Sequence, residues 1–401
     1  LDTNTLATAK KLDSDDVAEA CFGAAARSHF LLEDGLTYLN HGSYGAVSKP
    51  VMAAAQRCRE RIERQPCRFM AEDLPVALRK TADRVGDYVG AKGDDIVFLD
   101  NATTAINAVL RSLVLFPGVD VLTTTLTYGA VMRTLEFVCD RAEARLIPVH
   151  IDYPVPDAET VVDRLVSAIT SRTRLLVIDH ITSRGSAVLP LAEIAAEFAD
   201  RGIQVLVDGA HGPGMLDLDV ESLGVTWYTG NCHKWLGAPR GSAFLWTAPD
   251  RQAFMRPTTI SHHVANGYIP AFDWPGTKDF TPYLTIPDAL DFRARFGEDA
   301  IRDYCHDLAC RAGDYLAREL GTVVGTRESM TPFMVSVALP KRFGAAKQDV
   351  ADALIRKIRD EYHLEVAIHA FEGRLWARLS FYVYNDMEDV DRLLHALKSV
   401  E

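Results

Sequence analysis

Asp208 stands at the mouth of an apolar stretch and is followed at once by small residues and a histidine, in LVDGAHGPGMLDLDV (206–220). Asn231, Cys232, His233 and Lys234 follow the next apolar run, and Asn101-Ala102-Thr103-Thr104 closes an earlier run and opens a helical pattern. In an open α/β sheet ligands sit beyond the carboxyl ends of the strands, where all three clusters fall. A helix start offers free backbone N–H groups and the positive dipole end to a phosphate. A carboxylate in an apolar setting keeps a heterocyclic nitrogen protonated and gains a partner for its own buried charge. A lysine amine condenses with an aldehyde. A phosphate cradle, an acid and an amine are together what pyridoxal phosphate (PLP) requires.

These groups need a frame that brings strand ends together. Short apolar runs recur at 96–99, 121–124, 145–149, 175–178, 205–207, 225–228 and 242–246. Such runs, apolar on both faces, suit the central strands of a mainly parallel sheet. Helical patterns at 105–115, 128–141, 158–168 and 191–201 lie between them and fit crossover helices. The reading is an α/β chain in three parts. Residues 51–285 form a large domain on a seven-stranded sheet, and 286–401 form a smaller α/β domain that opens with a helical stretch over 288–320. Residues 1–50 form an N-terminal segment packing with the small domain.

The chain of 401 residues carries 43 basic and 55 acidic side chains, a formal charge of −12, which argues against nucleic acid or an anionic membrane as the main partner. Seven cysteines without a CxxC pair or zinc-like spacing read as reduced thiols, with no disulfide framework and no metal site. No apolar run approaches the roughly 18 to 20 residues that span a bilayer, and LDTNTLATAKKLDSDD lacks a signal-peptide core, so a cytoplasmic protein is expected.

The stretch VDGAHGPGMLDLDV followed by YTGNCHKWLGAPRGSAFLW resembles the cofactor region of fold-type I PLP enzymes of the class V aminotransferase superfamily, most of all the isopenicillin N epimerase-like branch. The likeness extends over LNHGSYGAV, NATTAIN, LTYGAVM, DHITSRGSAVLP, GTKDFTPYLTIPDALDF and RLSFYVYN. The resemblance implies that Lys234 forms the Schiff base, that Asp208 pairs with the pyridine nitrogen, and that His211 lies near the phenolic oxygen, with Ser183 or Thr182 beside it. It implies phosphate contacts from Ala102, Thr103, His233 and, across a homodimer with shared active sites, Thr277. Tyr128 takes the place of the aromatic ring over the pyridine face, Arg378 that of the arginine gripping the substrate carboxylate, and Asn40, His41 and Gly42 line the same end. Arg64, Arg68, Arg184 and Arg240 stay open as readers of a second substrate group.

Taken singly, each of these residues has a plainer reading: a capping aspartate, a surface lysine, a hydrogen-bonded core histidine, a helix-opening threonine, a packed tyrosine, an ion-paired arginine. Gly209, Gly212 and Gly214 suggest a dinucleotide turn, but Met-Leu-Asp follows where a third glycine must open a helix. The reaction expected is removal of a proton from Cα of an amino acid, with Lys234 as base. The overall likeness places epimerisation first. The alternatives are C–S lyase or β-elimination chemistry, like the lyases of ergothioneine biosynthesis that act on hercynylcysteine sulfoxide, and transamination. Persulfide-forming desulfuration is disfavoured, because no cysteine follows Cys310 to supply a thiolate on a late loop.

Overall fold

A computed structural model describes residues 21–400. The reading of the first sixteen residues as free of a signal core, and most of the first half of the N-terminal segment, lie outside the described residues. Seven strands form the central sheet: β2 (Ile96–Leu99), β3 (Asp120–Thr124), β4 (Arg145–Val149), β5 (Thr173–Asp179), β6 (Gln204–Asp208), β7 (Trp227–Asn231) and β8 (Ala243–Thr247), in spatial order β2-β8-β7-β6-β5-β3-β4. Pairing is parallel from β4 through β7, and β8 runs against both of its neighbours. The carboxyl ends of β5, β6 and β7 therefore open on one edge.

Alternate residues of each strand feed two different cores, which explains why the runs look apolar throughout. Ile96, Phe98, Leu122, Leu176, Ile178, Val205, Val207 and Phe244 pack under helices Leu74–Val89, Leu191–Ala199 and Ile286–Ala294. Val97, Leu99, Val121, Leu175, Val177, Leu206 and Leu245 face helices Ala102–Ser112 and Gly129–Ala142. With no solvated face, the interiors of the inner strands have no place for polar alternation, whereas the edge strand β4 exposes Arg145 and Pro148.

A second, three-stranded sheet is antiparallel in the order β11-β12-β9, from β9 (Met334–Ala338), β11 (Ala367–Phe371) and β12 (Arg374–Ser380). Helices Glu298–Leu320, Gln348–Tyr362 and Met387–Ser399 complete its own hydrophobic core. Near the start of the described chain, β1 (Thr37–Tyr38) pairs in parallel with β10 (Leu364–Glu365), and Asn40 bridges to Ser380 at the end of β12. That crossing carries 40–44 to the large sheet's open edge.

Two details differ from the expected elements. The helical stretch 288–320 is two helices, Ile286–Ala294 and Glu298–Leu320, separated by Gly297 at φ +83°. Strand β7 runs on to Asn231, so that residue ends the strand instead of following it. Thr229 and Gly230 gave no apolar signal; the Thr229 hydroxyl donates to the Phe244 carbonyl at 2.7 Å, and a side chain at 230 would run into Pro213 and Phe244.

Candidate active site

The helix over Ala102–Ser112 begins where Asn101 turns from extended backbone, and the Asn101 carboxamide oxygen accepts the Thr104 amide at 2.8 Å and the Thr104 hydroxyl at 3.1 Å. This is an N-cap, which fixes the first turn beside the end of β7. The Ala102 amide is taken by Asn231 Oδ1 at 2.9 Å. Among the first-turn donors of the described helix, the Thr103 amide is left without a protein acceptor and is the one that can serve an anion.

That helix end forms one wall of a cavity of about 460 Å³, also lined by Asp179, Ser183, Asp208, His211, Asn231, His233 and Lys234, with Ser43, Tyr44 and Tyr128 at its rim. The volume lies within the range of roughly 300–1,000 Å³ usual for small-molecule sites. Parallel register places Asp179, the last residue of β5, directly beside Asp208, the last residue of β6. Both are buried, at 2% and 4% exposure. Asp208 Oδ1 accepts the Ala210 amide at 3.0 Å, whereas Asp179 Oδ2 has no hydrogen-bond partner. Burial and then the Asp208 charge push the Asp179 carboxyl well above the usual range. Burial raises Asp208 as well, against the Ala210 amide and the Lys234 charge. Two adjacent buried carboxyls do not both ionise, and the amide and cation make Asp208 the charged one. Asp179 was missed in sequence, although the strand-end rule that found Asp208 applies to it equally.

Lys234 is reached through a tight turn after β7. Gly45, at φ +66°, lies so close that a Cβ there would overlap the His233 carbonyl, and His41 Nε2 contacts the Lys234 carbonyl at 3.0 Å. Lys234 Nζ lies 3.1 Å from His211 Nε2, and the Trp235 indole N–H donates to His211 Nδ1 at 3.1 Å. Burial first, then Arg378, brings the Lys234 amine down to about 8, with Asp208 and Asp179 opposing. Burial, Lys234, Arg378 and His233 hold His211 well below the ordinary imidazole range. His233 Nδ1 contacts the Ser242 carbonyl at 2.8 Å, and burial keeps this ring neutral, near 4. Its Nε2 is then an acceptor unless a bound anion protonates it.

The glycines after Asp208 answer the dinucleotide question by packing. A Cβ at Gly209 or Gly212 would overlap the Tyr228 ring or hydroxyl, and one at Gly214 would press on the Trp235 backbone. Tyr228 Oη in turn lies 3.0 Å from His180 Nδ1. These glycines let β7 approach the Asp208 loop; they cradle no phosphate. A residue missed entirely in sequence is Arg293, fully buried in helix Ile286–Ala294. It donates to the Trp235 carbonyl at 2.6 Å and the Gly214 carbonyl at 3.0 Å, and pairs with Glu298. One cation thus ties the aspartate loop to the lysine turn.

Arg378, on β12, is 3% exposed. It donates to the Ser183 carbonyl at 2.8 Å, Asn40 Oδ1 at 3.2 Å and Ser43 Oγ at 3.0 Å, while its Nε has no partner. All these acceptors are neutral, and no carboxylate among the described residues lies within ion-pair distance of it. Burial pulls it down to about 10. Ser43 and Ser183 carry it to the cavity wall.

Other expected positions fall differently. Ser183 lines the cavity, whereas Thr182 is turned inward with its Oγ1 accepting the Ala187 amide. His41 and Gly42 are buried behind the lysine turn; His41 also contacts Tyr384 Oη at 2.7 Å, and Gly42 abuts Met334, Ser380 and Trp235. Tyr128, 44% exposed, stands at the mouth with Arg184 near the adjoining Gly129. Thr277 is exposed and does not line this cavity within its own chain. None of the seven cysteines, all free thiols, lines it either. No helix of the described residues is long and apolar enough to cross a membrane.

The family model described as Aminotransferase class-V matches residues 37–393. An isopenicillin N epimerase of Amycolatopsis lactamdurans is 30% identical over 404 residues, 94% of this chain and 98% of that protein. An Arabidopsis thaliana protein named "Probable L-cysteine desulfhydrase, chloroplastic" is 30% identical over 390 residues, covering 90% and 82%. Among solved structures, a variant of C-DES, a cystine C–S lyase, with glycine covalently linked to its PLP cofactor superimposes with a TM-score of 0.79 at 21% identity, over 94% of this chain and 99% of that one. At that identity the last likeness is one of fold.

Proposed function

The chain belongs to the class V aminotransferase family, and from that premise we propose that this PLP-dependent enzyme removes the Cα proton of an amino acid and expels a sulfur substituent from Cβ. The residues fit the cofactor: a free Thr103 amide at a helix start for a phosphate, a buried carboxylate at Asp208 for the ring nitrogen, a depressed amine at Lys234 for the aldehyde, and Tyr128 at the face. When bound, PLP supplies an electron sink conjugated to the substrate Cα. Arg378, a buried cation with only neutral partners, takes the substrate carboxylate and sets which substituent faces Lys234. Lys234 is the base, and its amine, brought down to about 8, is half neutral and able to accept a proton near pH 8, where an ordinary lysine is almost wholly charged.

The observation that carries elimination is the 3.1 Å contact between Lys234 Nζ and His211 Nε2. These two proton-carrying groups of the cavity wall sit together, whereas epimerisation sets an acid and a base on opposite faces of a flat carbon, about 6 Å apart at two hydrogen-bond lengths. Loss of a thiolate needs only the one face. A cysteine-borne persulfide is disfavoured because no thiol reaches the cavity. Epimerisation is the second reading. Tyr128 offers a phenol at the cavity mouth as the other proton carrier, and the epimerase relative is as similar in sequence as the desulfhydrase one. Incubating the loaded enzyme with L-cysteine and S-substituted cysteines in deuterated water separates the two. Equimolar pyruvate, ammonia and sulfide are expected from L-cysteine, with a thiol in place of sulfide from the S-substituted cysteines; deuterium at Cα with inverted configuration and no released product would overturn elimination.

The exposed Thr277 is assigned to the phosphate site of a second copy, in a homodimer. Light scattering that shows a fully active monomer would remove that assignment.

A further inference from the structure

The Trp235–His211–Lys234 chain has a directionality that its distances alone impose. An indole N–H is a donor and nothing else. It points at His211 Nδ1 at 3.1 Å, so that nitrogen carries the lone pair. A neutral imidazole has one proton, and it must then sit on Nε2, 3.1 Å from Lys234 Nζ. An N–H directed at an amine requires the amine to accept, which an ammonium group cannot do. Trp235 is fully buried, with its ring against Phe333 and His41, so it has no freedom to turn the donor away. Its backbone is held independently, by Arg293 on its carbonyl.

We propose that Trp235 is a positioning residue that locks His211 in the Nε2–H tautomer, and that this donor favours the neutral form of the Lys234 amine aimed into the cavity. With the lock removed, the His211 proton is free to move to Nδ1, and Nε2 then becomes an acceptor for a lysine ammonium. The tryptophan therefore acts on the amine's protonation through the histidine, without touching either cofactor or substrate. The other groups facing Lys234 are Asp208 and Asp179 at the ends of β6 and β5, Arg378 on β12, and His233 beside it in sequence. The two carboxyls favour the charged amine and Arg378 opposes it, the His233 ring is held neutral by burial, and none of them contacts His211 Nδ1.

The first test needs no cofactor. Nitrogen-15 spectra of histidine-labelled apoprotein at about pH 9, where the Lys234 amine is mostly neutral, with His211 assigned by comparison with His211→Gln, are expected to show protonated Nε2 and bare Nδ1. A proton on Nδ1 overturns the proposal. The second test follows covalent cofactor attachment against pH in the wild type and in Trp235→Phe. The midpoint is expected to rise by about one pH unit in the variant, which is about a tenfold loss of attachment rate at pH 7. A merely structural tryptophan would lower the amplitude and leave the midpoint in place, and that result also overturns the proposal. If Trp235→Phe does not fold, the spectra of the wild type decide. Only the second readout rests on Lys234 as the attachment amine. If no attachment occurs at Lys234, the functional reading fails while the tautomer assignment still stands or falls on the spectra.

Discussion

Replacing Arg378 by glutamine tests whether the buried guanidinium is there for a substrate carboxylate. Its present partners are a carbonyl, a carboxamide oxygen and a hydroxyl, all neutral, and Nε is unpartnered. On the proposed reading the substrate carboxylate would supply the missing anion in a site where the cation is 3% exposed. Hydrogen bonds to charged groups contribute about 1.5–3 kcal/mol, and truncating one side of a buried charge pair costs about 2–5 kcal/mol. A central value of about 3 kcal/mol corresponds to roughly a 150-fold weaker amino acid complex. Binding is read by titrating the loaded enzyme's absorbance with L-alanine, which has no β-leaving group, and with ethylamine, which has no carboxylate. Glutamine is expected to weaken L-alanine by about two orders of magnitude and ethylamine by less than about threefold. Arg378 is also the largest charge lowering Lys234, so the amine's midpoint should rise in the variant, and the titrations belong above pH 9. Equal weakening of both ligands, or of neither, refutes the role.

Cofactor attachment should follow the neutral fraction of Lys234. With the amine near 8, the fraction is roughly one tenth at pH 7, half at pH 8 and nine tenths at pH 9; a profile that keeps rising as an ordinary lysine does would contradict the depression. Asp179→Asn keeps a hydrogen-bonding side chain where the structure holds a protonated acid, so it should leave cofactor affinity within a few-fold, whereas Asp208→Asn should lower it severely; dialysis against excess phosphate compares the two. Asn101→Ala removes the cap from the helix that opens on the cavity and should lower stability by about 1 kcal/mol in urea titration, with weaker cofactor binding. Arg293→Met strands Glu298 and frees the Trp235 and Gly214 carbonyls, a loss of about 3–5 kcal/mol read from the unfolding midpoint of the apoprotein.

The legibility of this protein in its sequence divides along a physical line. Strands buried on both faces are apolar at nearly every position, and 96–99 and most of each inner strand could be read from that constraint alone, whereas 145–149 at the sheet edge, with Arg145 and Pro148 exposed, showed itself only by its apolar residues. Chemistry at strand ends is equally local: Asp208, His211, Lys234 and the Asn101 turn each announce themselves by residue type beside an apolar run. The sequence determined the sheet, its crossovers and the three clusters that meet at its edge. Only the folded chain decided which groups within them touch. The β5–β6 register puts a second carboxyl beside Asp208 and so keeps Asp179 protonated. Asn231 takes the Ala102 amide and leaves that of Thr103 without a protein acceptor. The Tyr228 ring claims the glycines that looked like a nucleotide turn. Arg293 bridges to a carbonyl 58 residues away, and Arg378 to one 195 residues away. Contacts of that span leave no periodicity or spacing in the chain, because hydrogen bonding and burial depend on which side chains converge in space and not on their order along the backbone.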